Sequence, residues 1–274
     1  MGAKKGYLKI RDNLFYQYLK YQKPLFKPIS PKKILFSNQK PDWEEEINKG
    51  FKNSKHEVYF DEITSDNLMK YDLAVPLTID ELKSKEIREL LIKNPIPIPS
   101  LESILLCDDK YQFNKTLIAK GFGAFIPKME DPHTYPYIFK KKIDQYGANT
   151  HIIYGNEEEE KLFEILSSPE YFSQEIITGK NEYATHILFE NKKIVRSLNI
   201  KYIFKTDIGV KGKDKSHQTI CRCPYLDIFT SILESIGFEG LCCFNYKVRN
   251  NIPYIIEINP RFGGSLTPYF SLFI

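Results

Sequence analysis

The sequence has no run of about 18 apolar residues, which leaves no helix able to cross a membrane on its own. Met1 to Lys9 also lack the apolar stretch and small-residue cleavage site of a secretory leader, so the expected location is cytoplasmic. Cysteine is sparse and odd in number: Cys107, Cys221, Cys223, Cys242 and Cys243 lie mostly in apolar, strand-like text, which argues against a disulfide framework. The Cys221-x-Cys223 pair lacks the second pair and supporting histidines of a zinc site. Adjacent Cys242 and Cys243 would point to opposite faces of a strand, so all five read as reduced thiols, mainly core. An excess of one charge is missing as well. With 39 Lys and Arg against 35 Asp and Glu, the net charge of +4 does not indicate a nucleic-acid partner. There is no internal repeat and no low-complexity tract.

What remains is ordinary globular text, 42% hydrophobic and 27% charged, over 274 residues that can make two modest domains or one domain with a lid. Residues 1–30 form a basic aromatic extension, with Lys4, Lys5, Lys9, Arg11, Lys20, Lys23 and Lys27 against the lone acid Asp12. A helix packed on the body by its aromatic face is the preferred reading; contact with an anionic membrane surface or nucleic acid is the other. From Lys32 onward, strands and helices alternate: strands at 32–37, 58–60 and 73–77, helices at 43–51 and 79–92. The proline-studded 94–99 must be extended and closes this unit. A helix is expected from Asp108 to Gly121, then a hairpin around Tyr137 to Phe139, and a helix 157–166 capped by Asn156. Its acids, Glu157 to Glu160, suit a first helical turn better than a metal cluster. Alternating strands follow at 171–176, 182–189, 193–204 and 218–222. A helix at 226–236 and a last hairpin, 242–248 with 254–258, complete the chain.

The most informative stretch is Glu257-Ile258-Asn259-Pro260-Arg261-Phe262-Gly263-Gly264, at a strand end. Glu257 and Asn259 share a face about 7 Å apart, and both offer hard oxygens suited to Mg²⁺ that phosphates also hold. Arg261 can grip a phosphate or acyl phosphate through two parallel hydrogen bonds. Gly263 and Gly264 let backbone N–H groups approach an anion.

This ending resembles the ATP-grasp superfamily, whose last core strand reads acid, any, Asn, Pro, Arg before Gly-rich text. Further landmarks, spanning about residues 32–270, occur in the family's order. Asp109-Lys110 opening a helix resembles its Asp-Lys element and implies that Lys110 contacts ATP. The run Pro136-Tyr137-Ile138-Phe139-Lys140 resembles its strand and nucleotide lysine, which makes Lys140 that lysine, although Lys141 stands where proline is common. The run Gln174-Glu175-Ile176-Ile177 through Glu182 resembles the adenine hinge. It implies that Glu175, Ile176 and Ile177 face the base and that Glu182 binds the ribose. The basic loop 201–217 implies that Lys211 and Lys215, with Lys201 and His217 behind them, reach the γ-phosphate or the acceptor. Two departures stand out. The phosphate loop is reduced to Asp144-Gln145-Tyr146-Gly147-Ala148-Asn149-Thr150, and Asn245 holds the place of an acidic metal ligand. Asn245 and the Asn-Pro-Arg ending bring the chain nearest, in motif, to the carbamoyl phosphate synthetase large-subunit branch.

The resemblance implies an α/β and α+β fold. A small parallel-sheet domain (31–107) would precede a two-subdomain ATP-grasp fold, with an N-terminal lid (108–178) and a C-terminal part (179–274). It also implies an ATP- and Mg²⁺-dependent ligase that activates a small-molecule carboxylate as an acyl phosphate for attack by an amine. A small-molecule kinase of the same fold, or an ATP-binding regulatory protein without turnover, are the alternatives. Neither nucleic acid nor a membrane span is expected, and a homodimer is left open.

Overall fold

The computed structural model describes residues 30–129, 134–144 and 147–274. The packing expected of the basic aromatic segment falls on residues 1–29 and lies outside the described residues, as do Gln145 and Tyr146 of the reduced phosphate loop.

The first part of the chain alternates as expected. Strands β1 (Lys33–Ser37), β2 (Glu57–Asp61) and β3 (Leu73–Val75) make a parallel sheet in the order β2-β1-β3. Helix α1 (Glu44–Phe51) follows a 3₁₀ turn at Pro41–Trp43, and α2 (Ser65–Leu68) is a single turn. The helix expected over 79–92 is instead two, α3 (Ile79–Lys83) and α4 (Lys85–Leu90). Ser84 is extended (ψ 122°) and its side chain caps the second helix at Ile87 N, so a residue that prefers caps breaks the run. A helix not anticipated, α5 (Leu101–Asp108), starts on the Ser100 cap. The adjoining α6 (Lys110–Leu117) begins at Asp109, whose carboxylate accepts from Tyr111 N and Gln112 N, both at 3.0 Å. Gly121, at φ 89°, turns the chain out of the wide helical turn that follows.

A second, antiparallel sheet joins β4 (Tyr137–Lys141), β5 (Thr150–Ile153) and β6 (Tyr171–Glu175) in the order β5-β4-β6. The expected helix 157–166 is split into α7 (Asn156–Lys161) and α8 (Phe163–Leu166). Asn156 is not its cap: Gly155 takes that position, and the Asn156 side chain accepts from Tyr135 OH at 2.7 Å. In this sheet Tyr137, Phe139 and Ile153 pack with Leu162 and the α8 residues Ile165 and Leu166, while Ile138, Lys140, Ile152 and Gln174 face the other way, into a cleft.

The third sheet is central and antiparallel: β7 (Asn181–Glu190), β8 (Lys193–Phe204), β9 (Ser216–Cys221), β10 (Gly240–Arg249) and β11 (Ile252–Asn259), in the order β11-β10-β7-β8-β9. Both of its main hairpin turns, Asn191-Lys192 and Asn250-Asn251, have positive φ at the two central residues, the primed geometry that matches strand twist. Helix α9 (Leu226–Ser235) ends at Gly237 with φ 60°. One sheet face packs on α5, α6 and α9 through Ile187, Phe244, Tyr246, Phe229 and Leu233. The other meets the parallel sheet and a C-terminal 3₁₀ helix, Gly264–Leu272, through Ala184, Leu198, Ile200 and Phe204. Cys242 lies in the first of these clusters and Cys243 in the second, and none of the five cysteines forms a disulfide.

Phe36 of β1 ties the parallel sheet to the C-terminal helix. Its ring contacts Phe51, Phe60, Phe262 and Phe270 at centroid distances of 5.6 to 6.0 Å, and it is fully buried. Phe36→Ala should therefore cost about 3–5 kcal/mol in urea unfolding, against about 1–2 kcal/mol for Phe36→Leu, which keeps most of the buried volume. Equal and small losses would mean that the cluster relaxes around the gap.

Candidate active site

A cleft of about 470 Å³ runs between the inward face of the β5-β4-β6 sheet and the central sheet. Strand alternation supplies its floor: Glu182 and His186 from β7, Tyr202 from β8, and Cys243, Asn245 and Lys247 from β10. The contribution of β11 depends on a bulge. Tyr246 pairs with Ile255 but Asn245 pairs with Glu257, so Ile256 has no partner in the ladder. The extra residue changes the phase. Ile255 and Ile258 both enter the core beside the helices, and Glu257 and Asn259 both line the cleft.

Glu257 is the hub. Its Oε1 accepts from Asn245 Nδ2 at 2.7 Å and Asn259 Nδ2 at 2.9 Å, and its Oε2 lies 3.4 Å from Lys110 Nζ. Burial would raise its pKa, but the Lys110 charge, the two amide hydrogen bonds and the Lys211 charge outweigh that and hold it down to about 2. Lys211 Nζ donates to Asn245 Oδ1 at 2.8 Å and sits 4.6 Å from the Tyr202 ring centre. Lys110 Nζ also donates to Asp144 O at 2.6 Å. Lys140 approaches the O of the bulged Ile256 at 3.5 Å and the Phe172 ring at 5.2 Å. Desolvation, with the nearby Lys110 charge, lowers its pKa to about 7 against the pull of Glu257 and Glu182. Glu182 moves oppositely: burial raises its pKa to about 7 despite Lys211, Lys247 and Lys140.

The cleft thus gathers Lys110, Lys140, Glu175, Ile176, Ile177, Glu182, Lys211, Asn245, Glu257, Asn259 and Arg261. At the hinge, the Glu175 side chain is engaged elsewhere, accepting from Arg249 at 2.6 Å, while Ile176 and Ile177 complete the lining. Arg261 is buried, donates to Phe262 O at 2.7 Å and lies 5.8 Å from the Trp43 ring. Lys215 and His217 are exposed and outside the lining. Lys201 also lies outside it, 5.9 Å from the Tyr183 ring, a residue that packs with the helix-side core. The glycine pair has a steric cause: a Cβ on Gly263 would sit 2.6 Å from His186 Cε1, and one on Gly264 3.0 Å from Trp43. Of residues 144–150, Gly147 (φ 66°) and Thr150 line the cleft, and Lys213 Nζ donates to Thr150 O at 2.6 Å, joining β5 to the basic loop.

Other lining residues were given no role from the sequence, among them Trp43, His186, Lys247 and Ser265. Lys247 lies two residues beyond Asn245 and His186 four beyond Glu182, so strand alternation could have found both. Lys247 donates to Gly179 O and Gly209 O at 3.3 and 3.4 Å. His186 Nε2 lies 2.8 Å from Ser265 Oγ; burial and then Lys211 and Arg261 lower its pKa to about 3.

As a divalent-cation site, Glu257, Asn259 and Asn245 form an all-oxygen donor set once the amides rotate their carbonyls inward, and Glu257 is already ionised. No group of three or more His, Cys, Asp or Glu able to hold a metal occurs among the described residues. The set therefore fits Mg²⁺ shared with phosphate oxygens, and not a cage of protein ligands alone.

A sequence profile of the ATP-grasp domain matches residues 107–265. An uncharacterized protein of Methanocaldococcus jannaschii is 26% identical over 172 residues, which is 57% of this chain but only 41% of that relative's length. The chain therefore spans about two fifths of the curated relative it matches. Among solved structures, D-alanine–D-alanine ligase from Bacillus anthracis superposes with a TM-score of 0.60 at 16% identity, covering 85% of this chain and 88% of that one. Phosphoribosylamine–glycine ligase from Thermotoga maritima gives 0.63 at 14% identity, covering 86% and 70%. These likenesses establish the fold, that of the ATP-grasp ligases, with its small parallel sheet and two antiparallel sheets.

The buried Lys140 makes a test of the electrostatics. An unfolded lysine titrates near about 10.4 and this one at about 7, so between those values the unfolded chain binds more protons and stability rises with pH. Below the folded value, the buried charge opposes folding by on the order of a few kcal/mol. Lys140→Met should accordingly be more stable than the parent at about pH 6, with the advantage shrinking as pH rises toward about 10. Urea unfolding across that range decides it, and a less stable variant at the acid end would show that the charge is fully compensated.

Proposed function

This chain belongs to the ATP-grasp domain family, and from that premise we propose that it is a Mg-ATP-dependent ligase that activates a small-molecule carboxylate as an acyl phosphate for attack by an amine. The observation that carries the reading is the convergence of Glu257, Asn259, Asn245, Lys110, Lys140, Lys211 and Arg261 on one cleft large enough for a small-molecule ligand. We further read residues 31–107, 108–178 and 179–274 as the preceding domain, the lid and the closing subdomain.

In this proposal the adenine lies against Ile176 and Ile177, while the Glu175 carboxylate is held by Arg249. Glu182 accepts from the ribose hydroxyls, and hydrogen bonds donated to its carboxylate favour the ionised form that burial disfavours. Lys110 and Lys140 meet the phosphates, and a polyphosphate beside Lys140 restores the full charge that burial weakens. Glu257 and Asn259, with Asn245, would hold Mg²⁺. When bound, that ion would neutralise charge on the phosphate oxygens. Lys110 then leaves Glu257 for the nucleotide, and Lys211 leaves Asn245 for the transferred phosphoryl group. Arg261 faces the same group, so cationic donors meet the charge as it moves from ATP to the carboxylate. The amine attacks the acyl carbon, phosphate departs, and the amide forms without a protein nucleophile. Lys215, exposed and outside the cleft, has no part in this scheme.

Asn245 and the Asn259-Pro260-Arg261 ending keep the carbamoyl phosphate synthetase branch as the nearest motif relation within this proposal. A second reading, ATP binding without turnover, draws on the same Asn245. An amide binds Mg²⁺ more weakly than the carboxylate the family usually has there, and Lys211 occupies its oxygen.

ADP release measured across panels of carboxylates and amines separates these readings. A ligase releases ADP when both partners are present, and Glu257→Ala or Arg261→Ala should lower that rate about 10²–10³-fold. ADP with a stable phosphorylated product in the absence of any amine would identify a kinase instead. Nucleotide binding with no turnover on any panel would favour the regulatory reading.

A further inference from the structure

We propose that His186 is a positioning residue that locks the Ser265 hydroxyl as a hydrogen-bond donor into the cleft, making with Arg261 a site for an oxyanion on the substrate. The inference deepens the ligase reading and rests on it only for the cleft being the substrate site.

His186 is 1% exposed, and its two ring nitrogens have different surroundings. Nε2 lies 2.8 Å from Ser265 Oγ, with the weaker neighbour Cys243 Sγ at 3.9 Å. Nδ1 is buried without a hydrogen-bond partner. Gly263 closes that edge of the ring: a Cβ there would stand 2.6 Å from Cε1 and 3.2 Å from Nδ1. A neutral imidazole carries one donor and one acceptor nitrogen. With the proton on Nδ1, an N–H would be buried with no acceptor, a rarer situation than an unsatisfied acceptor. Burial, and after it the cations Lys211 and Arg261, favour a neutral imidazole, in which a nitrogen keeps its lone pair. The proton therefore belongs on Nε2, and Ser265 Oγ accepts it.

The consequence falls on Ser265. An oxygen that accepts from His186 is free to aim its own proton elsewhere, and Ser265 and Arg261 both line the cleft. A hydroxyl and a guanidinium that both donate call for a ligand that only accepts. That describes a carboxylate or an acyl phosphate and disfavours an ammonium group. Without the lock, the hydroxyl could instead spend its proton on the imidazole.

The experiment uses the full chain with isotope-labelled histidine, and the His186 signals are assigned with His186→Asn. Long-range proton–nitrogen correlation should show a protonated Nε2 and a bare Nδ1 from about pH 5 to about pH 8. Acetate, a plain carboxylate probe added with Mg-ADP, should move the Nε2 signal in the parent and leave it in place in Ser265→Ala. The chain has 1 tryptophan, Trp43 in the cleft, whose fluorescence gives a second readout. By that readout, acetate binding should weaken about tenfold in His186→Phe and recover in His186→Asn, which restores a side-chain N–H. A protonated Nδ1, or an acetate response undiminished in Ser265→Ala, overturns the proposal. Failure of Mg-ADP itself to bind would instead count against the ligase reading, leaving the tautomer measurement to decide this one.

Discussion

A single unpaired residue, Ile256, sets the direction in which the last strand presents its polar side chains. In a regular strand, Ile255 and Glu257 would share a face, and burying one among the helices would bury the other. The bulge lets Ile255 and Ile258 serve the core while Glu257 and Asn259 reach the cleft. It also frees the Ile256 carbonyl, which Lys140 approaches. Packing and chemistry use opposite phases of one strand, and the bulge reconciles them.

Once turned inward, Glu257 meets a surplus of positive charge. Lys110, Lys140, Lys211, Lys247 and Arg261 line the same space, with Glu182 as the other deeply placed carboxylate. Near-neutral values for Lys140 and Glu182 record how costly burial of charge is, and the low value of Glu257 records where the compensation is concentrated. The cleft uses lysines as counter-ions for its own carboxylate and amides. An incoming polyanion would let those lysines exchange one set of oxygens for another, so that strong charges change partners without being left bare.

Much of this was legible in the sequence because strands have a period of two. The alternation around Glu257 and Asn259 pointed to a shared face, and the order of Lys110, Lys140, Glu175 and Glu182 before it pointed to one site. The bulge was not legible, since nothing in Tyr254-Ile255-Ile256-Glu257 distinguishes a regular ladder from a skipped residue. Helix breaks were missed where a capping residue sat inside an apolar pattern, as at Ser84, and Leu101–Asp108 was missed because Asp109 separates it from the next helix. Trp43 and Ser265 enter the cleft through tertiary packing of segments far apart in sequence, which local periodicity does not encode. Gly263 and Gly264 were noticed for their freedom to approach an anion, but their neighbours His186 and Trp43 give a steric reason for them.

Trp43 belongs to a turn that precedes the matched 107–265 region by more than sixty residues, on the order of a small domain's span. Yet it walls the cleft, lies against Gly264 and stands beside the guanidinium of Arg261. Close behind it, Gly50 of α1 is pressed against the Pro268 backbone, where a Cβ would come within 2.7 Å. The recognisable family unit is therefore not a self-sufficient module. Its cleft is completed by the chain's own earlier segment, and substitutions in that segment can reshape what the cleft admits while leaving every family landmark untouched.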